Sequence, residues 1–171
     1  MESMSRPVVA LLMGSKSDLP KLQSAIDVFN AFGIAHTVRV MSAHRTPDTV
    51  MEFASSAASN GYKVLIAAAG GAAHLAGVVA AHTSLPVIGI PVAIAPFEGL
   101  DSLLATVQMP GGIPVATVGA GSGGAKNAAL LAVRILALGD TAVAANYEDF
   151  VAAQAAKVKQ ADDELQAELG N

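Results

Sequence analysis

Cysteine and tryptophan are both missing from this 171-residue chain, tyrosine occurs only twice, and only 14% of residues carry charge. Without cysteine there is no disulfide, no thiolate nucleophile and no thiolate metal site. With no tryptophan and two tyrosines, little aromatic surface is left to stack a flavin ring. No block of Lys or Arg appears and the formal net charge is −4, which argues against nucleic acid as a partner. Residues 1–6 lack the apolar region of a signal peptide, so the cytoplasm is the expected compartment. The stretch 75–96 is almost uncharged, but Pro86, Pro91 and Pro96 would interrupt a spanning helix and His82 falls inside it. Two short buried elements account for it better than a membrane span.

What the chain has in excess is small apolar side chains. Hydrophobic residues make up 53% of it, much of that Ala and Val, against a usual roughly 45–50%. Such composition suits close packing of helices on a sheet. With so few charges, part of the surface is expected to be covered by copies of the same chain, which predicts a homo-oligomer. The length fits one domain over residues 1–171. Residues 1–6 are expected as a flexible N-terminus and 147–169 as a C-terminal helix that could lie on a neighbouring subunit.

Short apolar runs at 8–13, 37–41, 64–69, 87–90 and 115–118 read as five strands. Between them, helical spacing places helices at 18–32 (stopped by Gly33), from Thr46-Pro47-Asp48 to near Asn60-Gly61, from about His74, and at 100–107. A long apolar helix at 125–138 and a more polar one at 147–169 follow. Strands alternating with helices imply an α/β fold with a parallel, doubly wound sheet, and nearly all-apolar strands imply helices on both faces. With a flavodoxin-like order 2-1-3-4-5, ligands belong in the crevice beyond the carboxyl ends of strands one and three, with strand two beside it.

The three loops that follow those strands are the most distinctive in the chain: Gly14-Ser15-Lys16-Ser17-Asp18, Ser42-Ala43-His44-Arg45-Thr46-Pro47 and Gly70-Gly71-Ala72-Ala73-His74. The first leads into a helix N-terminus, where backbone N–H groups favour an anion and Ser15 and Ser17 add hydroxyls; it reads equally well as a plain capped turn. The second offers Arg45, a planar cation suited to phosphate oxygens, beside Ser42. His44 lies between the two and is the best acid–base candidate, since imidazole titrates near neutral pH. His74 either orients a ligand or caps its helix. His36 and His82 have no such setting and read as surface or packing residues.

No metal is expected, because the loop histidines have no nearby carboxylate constellation and no His-x-x-x-His spacing occurs; Asp101 reads as a helix N-cap. The run 119–124 matches a dinucleotide-binding fingerprint, yet it follows the last strand, so no further strand can carry the ribose-binding acid. It reads as packing or as a subunit contact.

Taken in order, MGSKSD at 13–18, SAHRTPD at 42–48, GGAAHL at 70–75, LPVIGIPV at 85–92, GLDSLLATVQMPGGIPVAT at 99–117 and KNAALLA at 126–132 resemble a known family. That family is the class I N5-carboxyaminoimidazole ribonucleotide mutases of purine biosynthesis. The resemblance runs from Val8 to about Leu138. It implies a three-layer αβα sandwich with a five-stranded flavodoxin-like sheet, assembled as a homo-octamer; the helix expected at 147–169 is an extra C-terminal element beyond the resemblance. It also implies movement of a carboxylate from the exocyclic nitrogen to ring carbon C4 through transient CO2, with no metal, organic cofactor or ATP.

By the same resemblance Ser15, Ser17, Ser42 and Arg45 hold the 5′-phosphate, Asp18 the ribose hydroxyls, and His44 is the catalytic histidine. Ala43 belongs with the substrate-binding loop, and Ala69, Gly70, Gly71, His74 and Leu75 line the base and carboxylate pocket. The chain departs from the family pattern at Ala68, where Gly is usual, at Ala76, where Pro is usual, and in the 119–124 loop, which lacks the usual isoleucine–glycine pair. The nearest rival is the related carboxylase, which adds free CO2 to the aminoimidazole ribonucleotide; a non-catalytic nucleotide- or flavin-binding module is the rival from another class. A phospho-receiver domain would need an acidic residue at the end of the first strand, and none stands there.

Overall fold

The computed structural model describes residues 6–170; most of the stretch read as a flexible N-terminus, residues 1–5, lies outside them. The five strands are β1 (Val9–Met13), β2 (His36–Val40), β3 (Val64–Gly70), β4 (Val87–Val92) and β5 (Ala116–Thr117), all parallel in the order β2-β1-β3-β4-β5. The helices are α1 (Leu19–Ala31), α2 (Pro47–Ser56), α3 (Leu75–Ala81), α4 (Leu100–Val107), α5 (Gly121–Ala137) and α6 (Thr141–Leu169).

Successive side chains of a strand point to opposite faces, so a central strand covered on both sides must be apolar at every position. β1 meets that demand with five buried residues in a row. Ala10 and Leu12 join Leu65 and Ala67 in a cluster with Val50 and Ala54 of α2 and Leu75, Ala76 and Val79 of α3. Val9, Leu11, Val64 and Ile66 alternate with them and are equally buried. Their face is covered by α1 and α5, which Ser24 Oγ joins by donating to the Ser122 carbonyl at 2.7 Å. Each fully buried Leu or Ile contributes about 2 kcal/mol.

α2 ends at Ser56 rather than near Asn60-Gly61, and β4 runs on to Val92 rather than 90. Three further boundaries differ from expectation, each for a local reason. β5 keeps only two ladder residues, because it is an edge strand that follows Pro114; Val118 N still donates to the Gly89 carbonyl at 3.1 Å. α5 begins at Gly121 rather than 125, so the glycine-rich run is partly helix. A Cβ on Gly124 would overlap the Gly119 carbonyl, which makes the run a packing device. α6 begins at Thr141 rather than 147, because Asp140 Oδ1 accepts from Ala142 N and Val143 N at 3.0 and 3.1 Å and caps the helix. At α4 the N-cap is Gly99, and Asp101 Oδ1 instead accepts from Ser102 N.

The chain divides into two compact units, one ending at Ala132 and the other starting at Val133. Within the second, the Arg134 guanidinium lies 5.8 Å from the centre of the Tyr147 ring. The 29-residue α6 buries no side chain, and Val151, Val158 and Leu165 recur every seven residues along it as exposed apolar positions.

Candidate active site

Register sets the site. Met13 pairs with Val40 on one side and Ala68 on the other, so the chain leaves β1, β2 and β3 at one level. Gly14 N donates to the Ala68 carbonyl and Met41 N to the Met13 carbonyl, which carries the three loops out together.

In the first loop Ser15 is extended and its Oγ accepts from Ser17 N, with the two hydroxyls 2.8 Å apart, before a single 3-10 turn over Lys16–Asp18. The serine cap and the hydroxyl pair coexist, so the plain-turn and anion-site readings are compatible in one structure. In the second loop Ser42 Oγ accepts from the backbone N–H of His44 and of Arg45, at 3.4 and 3.2 Å. Thr46 closes that loop, its Oγ1 accepting from Ser42 N at 2.9 Å. Arg45 Nη2 donates to the Gly14 carbonyl, fastening the second loop to the first.

The third loop turns at Gly71, whose φ of +62° favours glycine. A Cβ on Gly70 would stand 3.0 Å from the Val92 carbonyl, so glycine is needed there for close approach. His74 precedes α3 without capping it by its side chain. Instead its Nδ1 lies 2.8 Å from His44 Nε2, with the two rings edge to face at 79°. In that pair one nitrogen donates and the other accepts. His36, by contrast, stacks on Phe29 and bonds the Ile34 carbonyl, and His82 ends α3, both remote in role from the loops.

These loops enclose a cleft of about 270 Å³. Of the residues singled out from the sequence, Ser15, Ser17, Asp18, Ser42, Ala43, His44, Arg45, Ala69, Gly70 and Leu75 line it. Gly71 shapes the turn and His74 contacts the lining residue His44, neither being among the lining residues itself. Gly14, Ala72 and Ile94 line it as well. The first two stand inside loops already singled out, whereas Ile94, just past β4, is an aliphatic residue with no sequence signal for a site. Ala68 and Ala76 are buried in the core and line no part of it.

Among the described residues no group of three or more His, Asp or Glu side chains gathers in a metal-binding arrangement, and no helix is long and apolar enough to cross a membrane.

Burial lifts the Asp18 carboxyl above its ordinary range, partly offset by the Lys21 ammonium and by the Ser15 backbone. A raised value means the folded chain favours neutral Asp18. The associated stability is present in full below the ordinary carboxylate range and is lost as pH rises through the raised folded value. Asp18→Asn, neutral at every pH and replacing a side chain that makes no capping hydrogen bond to α1, should therefore raise Tm at pH 7. The gain should vanish in acid, where Asp18 is protonated anyway; thermal melts at the two pH values check this.

The family model described as AIR carboxylase matches residues 8–157. The N5-carboxyaminoimidazole ribonucleotide mutase of Escherichia coli is 50% identical over 164 residues, covering 95% of this chain and 97% of that one. The mutase of Saccharolobus solfataricus is 56% identical over 132 residues, covering 77% and 82%. The solved structure of Treponema denticola PurE superposes with a TM-score of 0.85 at 32% identity, over 94% of this chain and 99% of that one. With the same parallel sheet and the motifs in order along it, the chain belongs to the AIR carboxylase family.

Proposed function

We propose that the chain is an N5-carboxyaminoimidazole ribonucleotide mutase of purine biosynthesis, converting its substrate to the 4-carboxy-5-aminoimidazole ribonucleotide. The observation that carries this reading is the mixed lining of the cleft. Three serine hydroxyls, the Arg45 guanidinium and the Asp18 carboxylate line it together with glycines, alanines, Leu75 and Ile94, and His44 stands in the same cavity.

Ser15, Ser17, Ser42 and Arg45 bind the 5′-phosphate, a task for which hydroxyls and a planar guanidinium are suited. Asp18 accepts from the ribose hydroxyls, and Ala43 lines the way to the base. Ala69, Gly70, Gly71 and Leu75 surround the ring and its carboxylate. His44 donates a proton to the exocyclic nitrogen as the N–C bond of the carbamate breaks and CO2 leaves. C4 then attacks the retained CO2, and the proton on C4 returns to His44. Atoms and charge balance with one acid–base group, and a small pocket that excludes water supplies the proximity. No cofactor takes part in these steps. His74 positions His44 through the bond between their rings.

The test is incubation with N5-carboxyaminoimidazole ribonucleotide in bicarbonate-depleted buffer, following the C4-carboxylated product. Rapid conversion is expected. Product formed only from the uncarboxylated ribonucleotide plus CO2 would transfer the assignment to the carboxylase reaction.

The whole chain works as one catalytic domain in a cytoplasmic homo-octamer. Phe97, Leu100, Leu104 and Val107 are each more than half exposed along α4 and its approach, an apolar strip suited to self-association. Light scattering should return the mass of eight chains; the mass of one chain would overturn the assembly.

A further inference from the structure

Ile94 is an aliphatic side chain, 40% exposed, in a cleft whose other lining residues, Leu75 apart, present hydroxyls, charges, an imidazole and small groups. Its backbone is held from several directions. Lys21 Nζ donates to the Ala93 carbonyl at 2.8 Å, and the buried Ser102 hydroxyl donates to the Val92 carbonyl at 3.0 Å. Gly99 packs so closely on Ala93 that a Cβ there would stand 3.0 Å from the Ala93 Cα. Anchored in this way, Ile94 lays its Cδ1 over the glycine turn of the third loop, 3.3 Å from where a Cβ on Gly70 would be and 3.5 Å from one on Gly71.

An exposed isoleucine so firmly placed has an evident use in the reaction proposed above. Between loss of CO2 from nitrogen and its capture by C4, the intermediate is a small, uncharged molecule that no hydrogen bond or ion pair can hold strongly. Only shape and an apolar wall keep it in place, and Ile94 with Ala69, Ala72 and Leu75 supplies apolar lining. We propose that Ile94 is a CO2-retaining residue, closing the glycine-floored part of the cleft and so favouring internal recapture over escape. The proposal rests on the mutase reading.

The experiment supplies N5-carboxyaminoimidazole ribonucleotide labelled with ¹³C in the carbamate, with unlabelled CO2 and carbonic anhydrase in the buffer. It measures label retained in the product and uncarboxylated ribonucleotide released. The natural chain should retain most of the label. Ile94→Ser should raise the ratio of escape to capture roughly tenfold, the low end of what one methylene contributes in an apolar pocket. Ile94→Val should stay near the natural chain, and thermal melts should show all three folded.

Label retention in Ile94→Ser equal to that of the natural chain would overturn the proposal and leave the mutase reading intact. Failure of the natural chain to convert the labelled substrate would remove both.

Discussion

His44→Asn should bind the ribonucleotide within a few-fold of the natural chain yet turn it over about a thousandfold more slowly, in the middle of the range for loss of a general acid–base group. The affinity is expected to survive because the groups proposed to bind the phosphate are built without the imidazole. Ser42 Oγ accepts from the backbone N–H of residue 44, not from its side chain, and Arg45 is fastened to Gly14 by its own guanidinium. Asparagine keeps a polar side chain that reaches about as far as the imidazole Nδ1 and can still hydrogen-bond, but its amide neither gives nor takes a proton at neutral pH. Calorimetric titration with the product and single-turnover assays of the substrate separate the two effects. Near-normal turnover would take His44 out of the mechanism. A large loss of affinity would mean that the imidazole holds the ligand instead.

The fold was legible where burial on both faces left no freedom of composition. β1, β3 and β4 are short apolar runs ended by turn residues, and a parallel sheet sandwiched by helices has no other way to be written. Legibility failed where one strong local signal masked another. Glycine is so poor a helix former that α5 was expected to begin only at 125, whereas close packing of Gly124 on the Gly119 carbonyl makes glycine the right residue inside that turn. α6 starts earlier than its sequence pattern implies, because the strong cap Asp140 stands before a stretch with little amphipathic pattern.

The site was read through its polar and glycine-rich loops, since such residues are conspicuous beside an apolar sheet. Ile94 had no such contrast: its neighbours are apolar, and only the placement of the loop after β4 brings it over Gly70. The pairing of His44 with His74 was equally hidden, because thirty positions of sequence separate two residues whose contact depends on the register of β2, β1 and β3.

That pairing carries the second large effect. His74→Ala should lower kcat by roughly a hundredfold with KM little changed, the cost expected when a reacting group is misplaced by about an ångström. His44 is exposed, and among its side-chain contacts the bond to His74 Nδ1 and the edge-to-face ring packing are what fix its rotamer and the nitrogen that bears hydrogen. Without His74 the imidazole can turn and exchange tautomers, so only a fraction of encounters present the proton to the exocyclic nitrogen. His74→Asn should recover most of the rate, because an asparagine amide reaches about as far as the Nδ1 position of imidazole and can either donate or accept there. If Asn and Ala variants are equally slow while both melt like the natural chain, the bond between the rings is not what positions His44. If instead KM rises and kcat holds, His74 touches the substrate directly and belongs with Gly70 and Leu75 in the pocket wall.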